Sequence, residues 1–389
     1  MKTPKKENFL YKLYESNKVS DYYKTLQLSF AKNYAVYKNE DLSIGEDQKI
    51  LTKTIIAFPQ FLEPEFINSG LKVRHIIQKK LDCFGIILDD KLQDIDSYLR
   101  EHFSKNSRTP IIKKKKRLEE CFNIEYKIFY GEIDVETYHS LMNITKEMLI
   151  QRFEQKSGNN SALGKWKWYE DTLYRLINEK KASFFVIYNN QTPIQISINY
   201  HYDTILFAHI PAYDINYSKF GLGNTAVYKQ LEWAIENNYK YLDFGDGDLD
   251  YKRRWCNYDY KLETQIICKK SSLVGNIVSL IELNLVRFKN LMKDLNVDVY
   301  IQKLKQKGGS PVNSESYEQF NFSDVDENFN MESLEKINLL GEEFNFLKKP
   351  IFDFIYQYQD HFDSIKAYKE NDTTFVIAGE KNTKKLILE

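Results

Sequence analysis

Three strand-like runs between residues 183 and 210 constrain the fold of this chain more than any other stretch. They are Ser183 to Tyr188, Ile194 to Tyr200 and Thr204 to Ile210, and apolar and polar residues alternate along the second. Alternation with a period of two is typical of a strand with two different faces. Short turns that contain Asn or Asp connect neighbouring strands in antiparallel order. The stretch therefore predicts an antiparallel meander.

A glycine-rich turn and a helix follow the meander. Pro211 is predicted to end the third strand, because proline has no N–H group to donate to a ladder. Gly221-Leu222-Gly223 comes next, and Asn224 is predicted to be the N-cap of a helix with apolar residues at helical spacing. A Gly-x-Gly turn at a helix N-terminus lets backbone N–H groups approach a phosphate, which the positive end of the helix attracts. A turn that only ends a loop and begins a helix is the alternative.

The most polar segment of the region comes after one further predicted strand, Lys240 to Phe244. It runs through Gly245-Asp246-Gly247-Asp248-Leu249-Asp250 to Tyr251-Lys252-Arg253-Arg254-Trp255. Charged side chains are seldom buried unless they are paired, and Gly and Asp favour turns. The segment is therefore predicted to be a loop that holds a polar ligand. After it, Tyr260 to Cys268 is predicted to be a further strand.

The order of these elements resembles that of the GNAT acyltransferase superfamily, in which a glycine-rich loop and the following helix hold the acyl donor. More specifically, residues 182–269 resemble the Fem-like and CelD-like branch, which includes the peptidoglycan-bridge aminoacyltransferases and related polysaccharide-biosynthesis acetyltransferases. Three blocks carry the resemblance, and the last is the most specific: Pro211-Ala212-Tyr213-Asp214, Gly221-Leu222-Gly223, and Leu242-Asp243-Phe244-Gly245-Asp246-Gly247-Asp248 running into Tyr251-Lys252-Arg253-Arg254-Trp255.

The resemblance implies an α/β (α+β layered) fold with two GNAT-like units in tandem, built on a mixed, mostly antiparallel sheet flanked by helices. We therefore predict a degenerate GNAT-like unit at residues 1–125 and an acyltransferase unit at residues 126–270. Apolar residues at helical spacing predict a helical extension at 271–304. A Gly-, Ser- and Asn-rich linker at 305–330 and a small appendage at 331–389 complete the predicted organisation.

The activity that the resemblance implies is transfer of an acyl group from a thioester or an aminoacyl ester to an amine. This reaction needs a neutral amine, a place for the developing oxyanion and a proton for the leaving group. Asp246 and Asp248 are candidates to hold or deprotonate the acceptor ammonium. Lys252 is the candidate to stabilise the oxyanion or clamp a phosphate, and Tyr251 is the candidate to protonate a thiolate. Backbone N–H groups near His209 to Ala212 are candidates to bind the acyl carbonyl.

Each candidate has a structural alternative. Asp246 and Asp248 can instead pair with neighbouring cations to fix the loop, and Tyr251 and Trp255 can be packing anchors. His209 lies within an apolar run, which favours a core histidine over a catalytic base. The sequence does not support a Ser-His-Asp triad, because no serine lies in a Gly-x-Ser-x-Gly pattern.

The donor that the resemblance implies is acyl-coenzyme A, with acetyl-coenzyme A as the specific expectation, and no metal is expected. The predicted donor-binding residues are Lys219, Gly221, Gly223 and Asn224. The predicted acceptor-binding residues are Asp243, Arg253, Arg254 and Trp255. The chain departs from the superfamily at Ser218, where the phosphate loop usually begins with Arg or Gln, and this departure leaves another donor open.

The strongest charge run is Lys113 to Arg117, which Glu119 and Glu120 follow. It has two interpretations, a solvated helix face or a patch that contacts phosphate. Across the whole chain 55 Lys and Arg balance 55 Asp and Glu. Zero net charge argues against a nucleic-acid partner, and a transferase that depends on aminoacyl-tRNA would have to rely on this patch.

Targeting signals are not recognisable in the sequence. It contains no run of 18 apolar residues, no signal-peptide pattern near Met1 and no metal-ligand spacing among its four cysteines. We therefore expect a cytoplasmic protein without membrane insertion, and the resemblance implies an N-acyltransferase that acylates an amino group of a cell-envelope or polysaccharide precursor. A peptidoglycan-bridge aminoacyltransferase and a non-catalytic binding module of the same fold are the alternatives, and the oligomeric state stays open.

Overall fold

The fold is that of a computed structural model, which describes residues 5–40, 52–89, 91–154, 162–295, 320–325, 334–339 and 341–388. The strands of these residues are β1 (Lys5–Asn8), β2 (Tyr23–Leu28), β3 (Ala31–Lys38), β4 (Thr52–Pro59), β5 (Leu62–Phe66), β6 (Leu71–Ile87), β7 (Ile124–Phe129), β8 (Ala182–Asn189), β9 (Thr192–Tyr202), β10 (Ile205–Tyr213), β11 (Tyr241–Asp246), β12 (Tyr258–Lys269), β13 (Phe320–Asp324), β14 (Glu335–Ile337), β15 (Lys366–Lys369), β16 (Thr374–Ala378) and β17 (Thr383–Leu388).

The α-helices of the same residues are α1 (Ile95–His102), α2 (Lys105–Cys121), α3 (Val135–Glu154), α4 (Trp166–Asn178), α5 (Leu222–Glu236), α6 (Asp250–Trp255), α7 (Leu273–Asp294) and α8 (Lys348–Tyr358). Shorter helical segments are the π-helix Tyr11–Glu15 and the 3₁₀ segments Leu163–Lys165, Ile215–Phe220, Glu342–Leu347 and Phe362–Ser364. Within the described ranges, no helix is long and apolar enough to cross a membrane.

One large sheet organises the molecule, with the strand order β1-β4-β12-β6-β11-β10-β9-β8-β7. The β1–β4 and β10–β11 pairs are parallel, and the other neighbours are antiparallel. The predicted fold class, a mixed and mostly antiparallel sheet flanked by helices, is confirmed. Strand β6 lies between β12 and β11, so strands from both predicted units share this sheet. The division at residue 125 stays a prediction.

The predicted meander is β8, β9 and β10, and the antiparallel pairing of these strands is confirmed. The prediction that Pro211 ends the third strand was wrong, because β10 continues to Tyr213 and Pro211 pairs with Ser197 of β9. β10 pairs with β11 only from Ile205 to Phe207. Beyond Phe207, β10 has a neighbouring strand on one side only among the described residues, and a proline that cannot donate to a ladder is tolerated at such an edge.

The predicted C-terminal appendage is a five-stranded sheet, ordered β13-β17-β16-β15-β14, that packs with α8. Its aromatic residues extend into the rest of the molecule: the Phe352 ring centroid lies 4.5 Å from that of Tyr217 and 5.2 Å from that of Phe122. Residues 320–324 of the predicted linker form β13, whereas 305–319 and 326–330 lie outside the described residues. The appendage therefore supports the segment that precedes α5.

Candidate active site

A cavity opens in the large sheet where β10 and β11 part. The two strands are parallel neighbours only over residues 205–207 and 241–243, and they diverge beyond that point. A space of about 330 Å³ lies in the gap, with the N-terminus of α5 at its wall. We call this space the central cavity; the residues that line it include Gln195, Ser197, Asn199, His209, Tyr213, Gly221, Gly223, Asn224, Gln230, Phe244 and Tyr251. Diverging strands leave backbone groups unpaired, so the site can bind a ligand along β10.

The glycine turn begins α5 in a way that the sequence predicted only in part. Gly221 has φ +70°, a left-handed conformation that favours glycine, and it caps the helix that starts at Leu222. The prediction that Asn224 is the N-cap was wrong, because the N–H groups of Asn224 and Thr225 donate to the Gly221 carbonyl. The Asn224 side chain instead accepts from Trp255 Nε1 at 2.9 Å. Trp255 is thereby a buried anchor between α6 and α5.

Two lysines lie near this helix start, and their environments differ. Lys219 Nζ lies 3.3 Å from an oxygen of Asp353 on α8, so its charge is neutralised by a nearly buried carboxylate. Lys114 comes from α2, and a Cβ atom at Gly221 would lie 3.2 Å from its Cδ. In the part of the chain that the structure describes, Lys114 has neither a hydrogen bond nor an ion pair. Lys114 therefore leaves an unpaired positive charge beside the glycine turn.

Two other lysines of the basic run on α2 pair with acids of the same helix, and Arg117 donates to the Tyr356 carbonyl of α8. Lys115 lies 2.8 Å from Glu119, and Lys116 lies 3.4 Å from Glu120, both at i,i+4 spacing. Such pairs stabilise a helix modestly and leave little net charge. Within the run, only Lys114 combines an unpaired charge with a position beside the turn. The phosphate-contact interpretation therefore concerns Lys114, and the solvated-face interpretation concerns Lys115 and Lys116.

A row of buried amide side chains forms one wall of the central cavity. Gln195 and Asn199 point from β9, and Gln230 points from α5. The nitrogen of Gln195 donates to Ser197 Oγ at 2.7 Å, and that of Gln230 donates to the Ala226 carbonyl at 3.1 Å. The side-chain oxygens of all three amides are buried and find no donor among the described residues. A buried acceptor without a partner costs about 1–3 kcal/mol, so the row favours a ligand that brings N–H or O–H donors.

The polar segment after β11 is partly helical. The prediction of a loop from Phe244 to Trp255 was wrong at both ends, because β11 extends to Asp246 and α6 begins at Asp250. Lys252 is buried and donates to the carbonyls of Phe244 at 2.7 Å, Gly245 at 3.4 Å and Asp246. Burial lowers the pKa of Lys252. All three of its protons are therefore used to hold the end of β11.

The other charged candidates of this segment lie away from the central cavity. Asp248 and Arg253 form an ion pair on the surface. The hydrogen bond that Arg253 donates to Asp248 lowers the pKa of this carboxyl group. Asp246 and Arg254 are exposed, and neither lines the cavity. Tyr251 does line it, and burial raises the pKa of its hydroxyl to about 12. Of the four predicted catalytic side chains, the structure brings only Tyr251 to this wall.

The substitution Lys252→Ala tests this structural position. We expect it to lower the free energy of unfolding by about 2 kcal/mol, because three carbonyls lose a charged donor in a buried place. Urea denaturation followed by circular dichroism measures the change. Arg253→Ala is the matched control, since it removes a neighbouring cation whose partner is solvent-exposed. Equal stability of Lys252→Ala and wild type would contradict the assignment.

Asp243 lies on the other face of β11 and is completely buried. Its carboxylate accepts from the hydroxyls of Tyr14 at 2.9 Å and Tyr260 at 2.8 Å, and from the Gly245 N–H at 2.9 Å. Burial raises the pKa of Asp243 to about 6, although the three donors oppose this shift. The predicted role of Asp243 in acceptor binding stays a prediction, and the structure makes it a hub that joins the first helical segment to β11 and β12.

A second, more open cleft of about 600 Å³ lies beside the π-helix. It is lined by Tyr11, Glu15, Gly164, Lys165, Lys167 and Trp168, and we call it the outer cleft. Burial raises the pKa of Glu15 to about 7, and its carboxylate has no hydrogen-bond partner within the described ranges. Lys165 Nζ lies 3.6 Å from the Tyr11 ring centroid, and burial lowers its pKa. The outer cleft thus contains both a carboxyl group with a pKa near 7, that of Glu15, and the cation of Lys165.

His209 connects the two sites. It lines the central cavity at a bulge in β10, where the pairing with β9 passes from Ala208 to Ile210. Its Nε2 lies 3.0 Å from the Tyr169 hydroxyl, and burial, aided by Lys165, lowers its pKa to about 4. Burial, and then the charge of Glu15, raises the pKa of Tyr169. His209 is therefore a neutral group at the wall of the cavity rather than a residue of the closed core.

The sequence reasoning missed Glu15, Tyr169 and the amide row as site residues. The row had a visible signal, because Gln195, Ser197 and Asn199 occupy alternate positions of a strand whose other positions are apolar. Glu15 had no such signal in the sequence, since the residues beside it in the outer cleft, such as Lys165 and Trp168, come about 150 residues later in the chain. Among the described residues, no group of three or more His, Cys, Asp or Glu side chains is arranged to hold a metal ion.

The segment that contains the central cavity matches a known protein family. Residues 105–253 match the model of an acetyltransferase (GNAT) domain, which covers less than half of the chain. The matched segment contains α2, the amide row of β9, the diverging strands and the start of α5. The chain therefore carries a GNAT-type domain, and the match supports acyltransferase chemistry in general. The comparison with curated proteins found no match.

Solved structures show distant similarity to the chain. FemX is 12% identical with a TM-score of 0.41 and aligns over 62% of this chain and 76% of its own. A conserved protein of unknown function from Bacteroides thetaiotaomicron is 10% identical, with a TM-score of 0.36 over 56% of this chain and 70% of its own. L-PGS from Bacillus licheniformis is 10% identical, with a TM-score of 0.33 over 56% and 68%. At these TM-scores the likeness carries no argument about function.

Proposed function

We propose that this chain is an N-acyltransferase that takes an acyl group from acyl-coenzyme A in the central cavity. The observation that carries the proposal is the row of three buried amide oxygens without donors, in a cavity that opens between diverging strands. The pantetheine arm of coenzyme A carries amide N–H groups and a hydroxyl, which are the donors that these oxygens lack. Acetyl is the acyl group that we expect.

The charged end of the donor fits the start of α5. The N-terminus of a helix attracts phosphate through its free N–H groups and its partial positive charge. Ser218 supplies no cation at the position where the superfamily usually has one. Lys114 lies beside Gly221 from another helix and is free to pair with the diphosphate. The missing cation of the loop is thus replaced from α2, which supports coenzyme A as the donor.

Replacement of Lys114 tests the diphosphate contact. We expect Lys114→Ala to raise the KM for acetyl-coenzyme A about tenfold with little change in kcat, because it removes one charge-assisted hydrogen bond to the donor. Lys116→Ala is the control, since Lys116 is already paired with Glu120. With acetyl-pantetheine, which has no diphosphate, Lys114→Ala and wild type should be equal. An equal effect on both donors would contradict the contact.

The outer cleft is the proposed place for the acceptor. Tyr11 and Trp168 offer aromatic faces, and Glu15 offers a carboxylate beside them. An amino sugar suits such a site, because its ring packs on aromatic faces and its ammonium pairs with the carboxylate. Lys165 adds positive charge, whereas Lys167 is paired with Asp171 at 2.8 Å. The charge of Lys165 favours an acceptor that also carries phosphate. An amino-sugar precursor of the cell envelope or of a polysaccharide is therefore the acceptor class that we propose.

The chemistry follows from the proposed placement of the two substrates. Glu15 takes a proton from the acceptor ammonium, and the neutral nitrogen attacks the thioester carbonyl. The C–N bond forms and the C–S bond breaks, and the sulfur leaves as a thiolate that takes a proton from Tyr251. The nitrogen gives up its second proton as the amide forms, and this proton restores the Tyr251 hydroxyl. The bulge at His209 frees backbone N–H groups of β10 to stabilise the oxyanion. The products are an amide and free coenzyme A.

Release of free thiol tests the proposed function. Purified protein is incubated with acetyl-coenzyme A and a panel of amino sugars and their nucleotide derivatives, and thiol is measured by a disulfide-exchange dye. We expect release that depends on both substrates. Retained ligand binding without turnover of any thioester would favour a binding module. Turnover only with aminoacyl-tRNA, lost after ribonuclease treatment, would favour the aminoacyltransferase alternative.

A further inference from the structure

Helix α7 is packed with its polar side against the large sheet. Ser279, Glu282 and Asn290 are buried on that side. Arg74 of β6 donates to Ser279 Oγ at 3.0 Å, and Asn290 Nδ2 donates to the Ile77 carbonyl at 2.8 Å. A surface helix of a globular protein ordinarily turns its apolar stripe to the core and its polar residues to water. α7 has the opposite orientation.

The outer face of α7 is consequently apolar, and no other described part of the chain covers it. Nine large apolar side chains between Leu273 and Leu295 are 44% to 83% exposed. They recur at helical spacing, so they form one continuous stripe along the helix. Contiguous apolar patches larger than a few hundred Å² are rare on soluble monomers and mark surfaces that bind a partner or a membrane. α7 packs on β4, β12 and β6, and none of the nine side chains lines the central cavity or the outer cleft.

The surroundings of the stripe are strongly basic in a chain of zero net charge. Residues 71–80 of β6 and residues 269–294, which comprise α7 and the segment before it, contain nine Lys and Arg and two acidic residues. Both acids are already paired: Glu282 lies 3.5 Å from Lys6, and Asp294 pairs with Lys79. The charges that remain on this surface are therefore positive, and Arg287 and Lys289 lie exposed on the helix itself.

We propose that the outer face of α7 docks in the plane of an anionic lipid surface. An amphipathic helix that combines an apolar stripe with flanking cations binds at the headgroup level, where apolar side chains enter the acyl boundary and Lys and Arg pair with lipid phosphates. A second copy of the chain is a poorer occupant. A symmetric contact between two outer faces would bring the two basic rims together, and like charges oppose association.

Vesicle binding by the full chain tests the proposal. The probes are vesicles of equimolar phosphatidylglycerol and phosphatidylcholine, and vesicles of phosphatidylcholine alone, in a flotation assay. We expect partition onto the anionic vesicles only, and a decrease with added salt. The double variant Ile277→Ser/Phe288→Ser should reduce partition on the order of tenfold or more, because two apolar anchors are lost. Val135→Ser, at a similarly exposed position of α3, should bind as wild type does.

Three results would overturn it. The first is no partition onto either vesicle, and the second is partition onto anionic vesicles that survives the double variant. The third is a dimer in solution, by sedimentation, that the double variant converts to monomer while wild type binds no vesicle. Since both substituted side chains are more than half exposed, the variants should keep the circular dichroism spectrum of wild type. Folding and docking are thereby measured separately.

Discussion

Glu15→Gln should lower kcat for acyl transfer roughly 10²- to 10⁴-fold, which is the usual contribution of a general base. The glutamine has nearly the same shape but cannot accept the proton of the acceptor ammonium. Burial raises the pKa of Glu15 to about 7, so the wild-type carboxylate is poised near neutral pH. The KM for acetyl-coenzyme A should stay unchanged, because Glu15 lies in the outer cleft and not in the central cavity.

The pKa of Glu15 also predicts the direction in which kcat/KM changes with pH. A base works when it is deprotonated, so kcat/KM of wild type should rise with pH and level off above about 7, the pKa of Glu15. Glu15→Gln should lack that rise. Glu120→Gln, the same change on the exposed face of α2, should keep both the rate and the profile. If Glu15→Gln keeps the wild-type rate, Glu15 is not the general base. That result would not contradict the proposed binding of the donor in the central cavity.

Asp243→Ala should destabilise the protein by about 3 kcal/mol or more. The change leaves three buried donors without an acceptor, namely the hydroxyls of Tyr14 and Tyr260 and the Gly245 N–H. An unsatisfied buried polar group costs about 1–3 kcal/mol. Urea denaturation measures the loss. Tyr14→Phe removes one donor together with its need for a partner and should cost about 1 kcal/mol.

The raised pKa of Asp243 also predicts how stability changes with pH. The pKa of Asp243 is about 6 in the folded protein and its ordinary value is 3.8, so between these values the folded protein holds a proton that the unfolded chain has lost. The resulting contribution to stability is fully present below about pH 4 and is lost as the pH rises through 6. The fall should be smaller in Asp243→Ala than in wild type, because Glu15, whose pKa is also raised, still contributes over an overlapping window. A rise in stability over the same window would mean that the three donors outweigh burial.

Part of the fold was accessible from local patterns. The period-two alternation of β8 to β10 sets which residues face each side of the sheet, and each turn between them is short enough to force antiparallel order. The glycine turn before α5 was also visible, because a left-handed residue at a helix start favours glycine. These features depend on residues that are close together in the sequence, so a single sequence is enough to predict them.

The candidate site was accessible only in part. Tyr251, Gly221 and Gly223 line the central cavity, and the roles predicted for them stay predictions. Lys252, Asp246 and Asp248 were chosen because charged residues favour a polar site, but hydrogen bonds inside the segment use Lys252, and an ion pair with Arg253 uses Asp248. Composition cannot distinguish a side chain that meets a ligand from one that meets its own backbone.

The sequence by itself determined the meander, the glycine turn and the helix that it starts, because each depends on the spacing of a few consecutive residues. Only the tertiary structure decided which groups share a site. The charge of Glu15 acts on Tyr169, and Lys114 lies beside Gly221, across more than 100 residues of chain. It also decided that α7 turns its polar side inward, since the periodicity of a helix shows that it has two faces but not which of them meets the sheet.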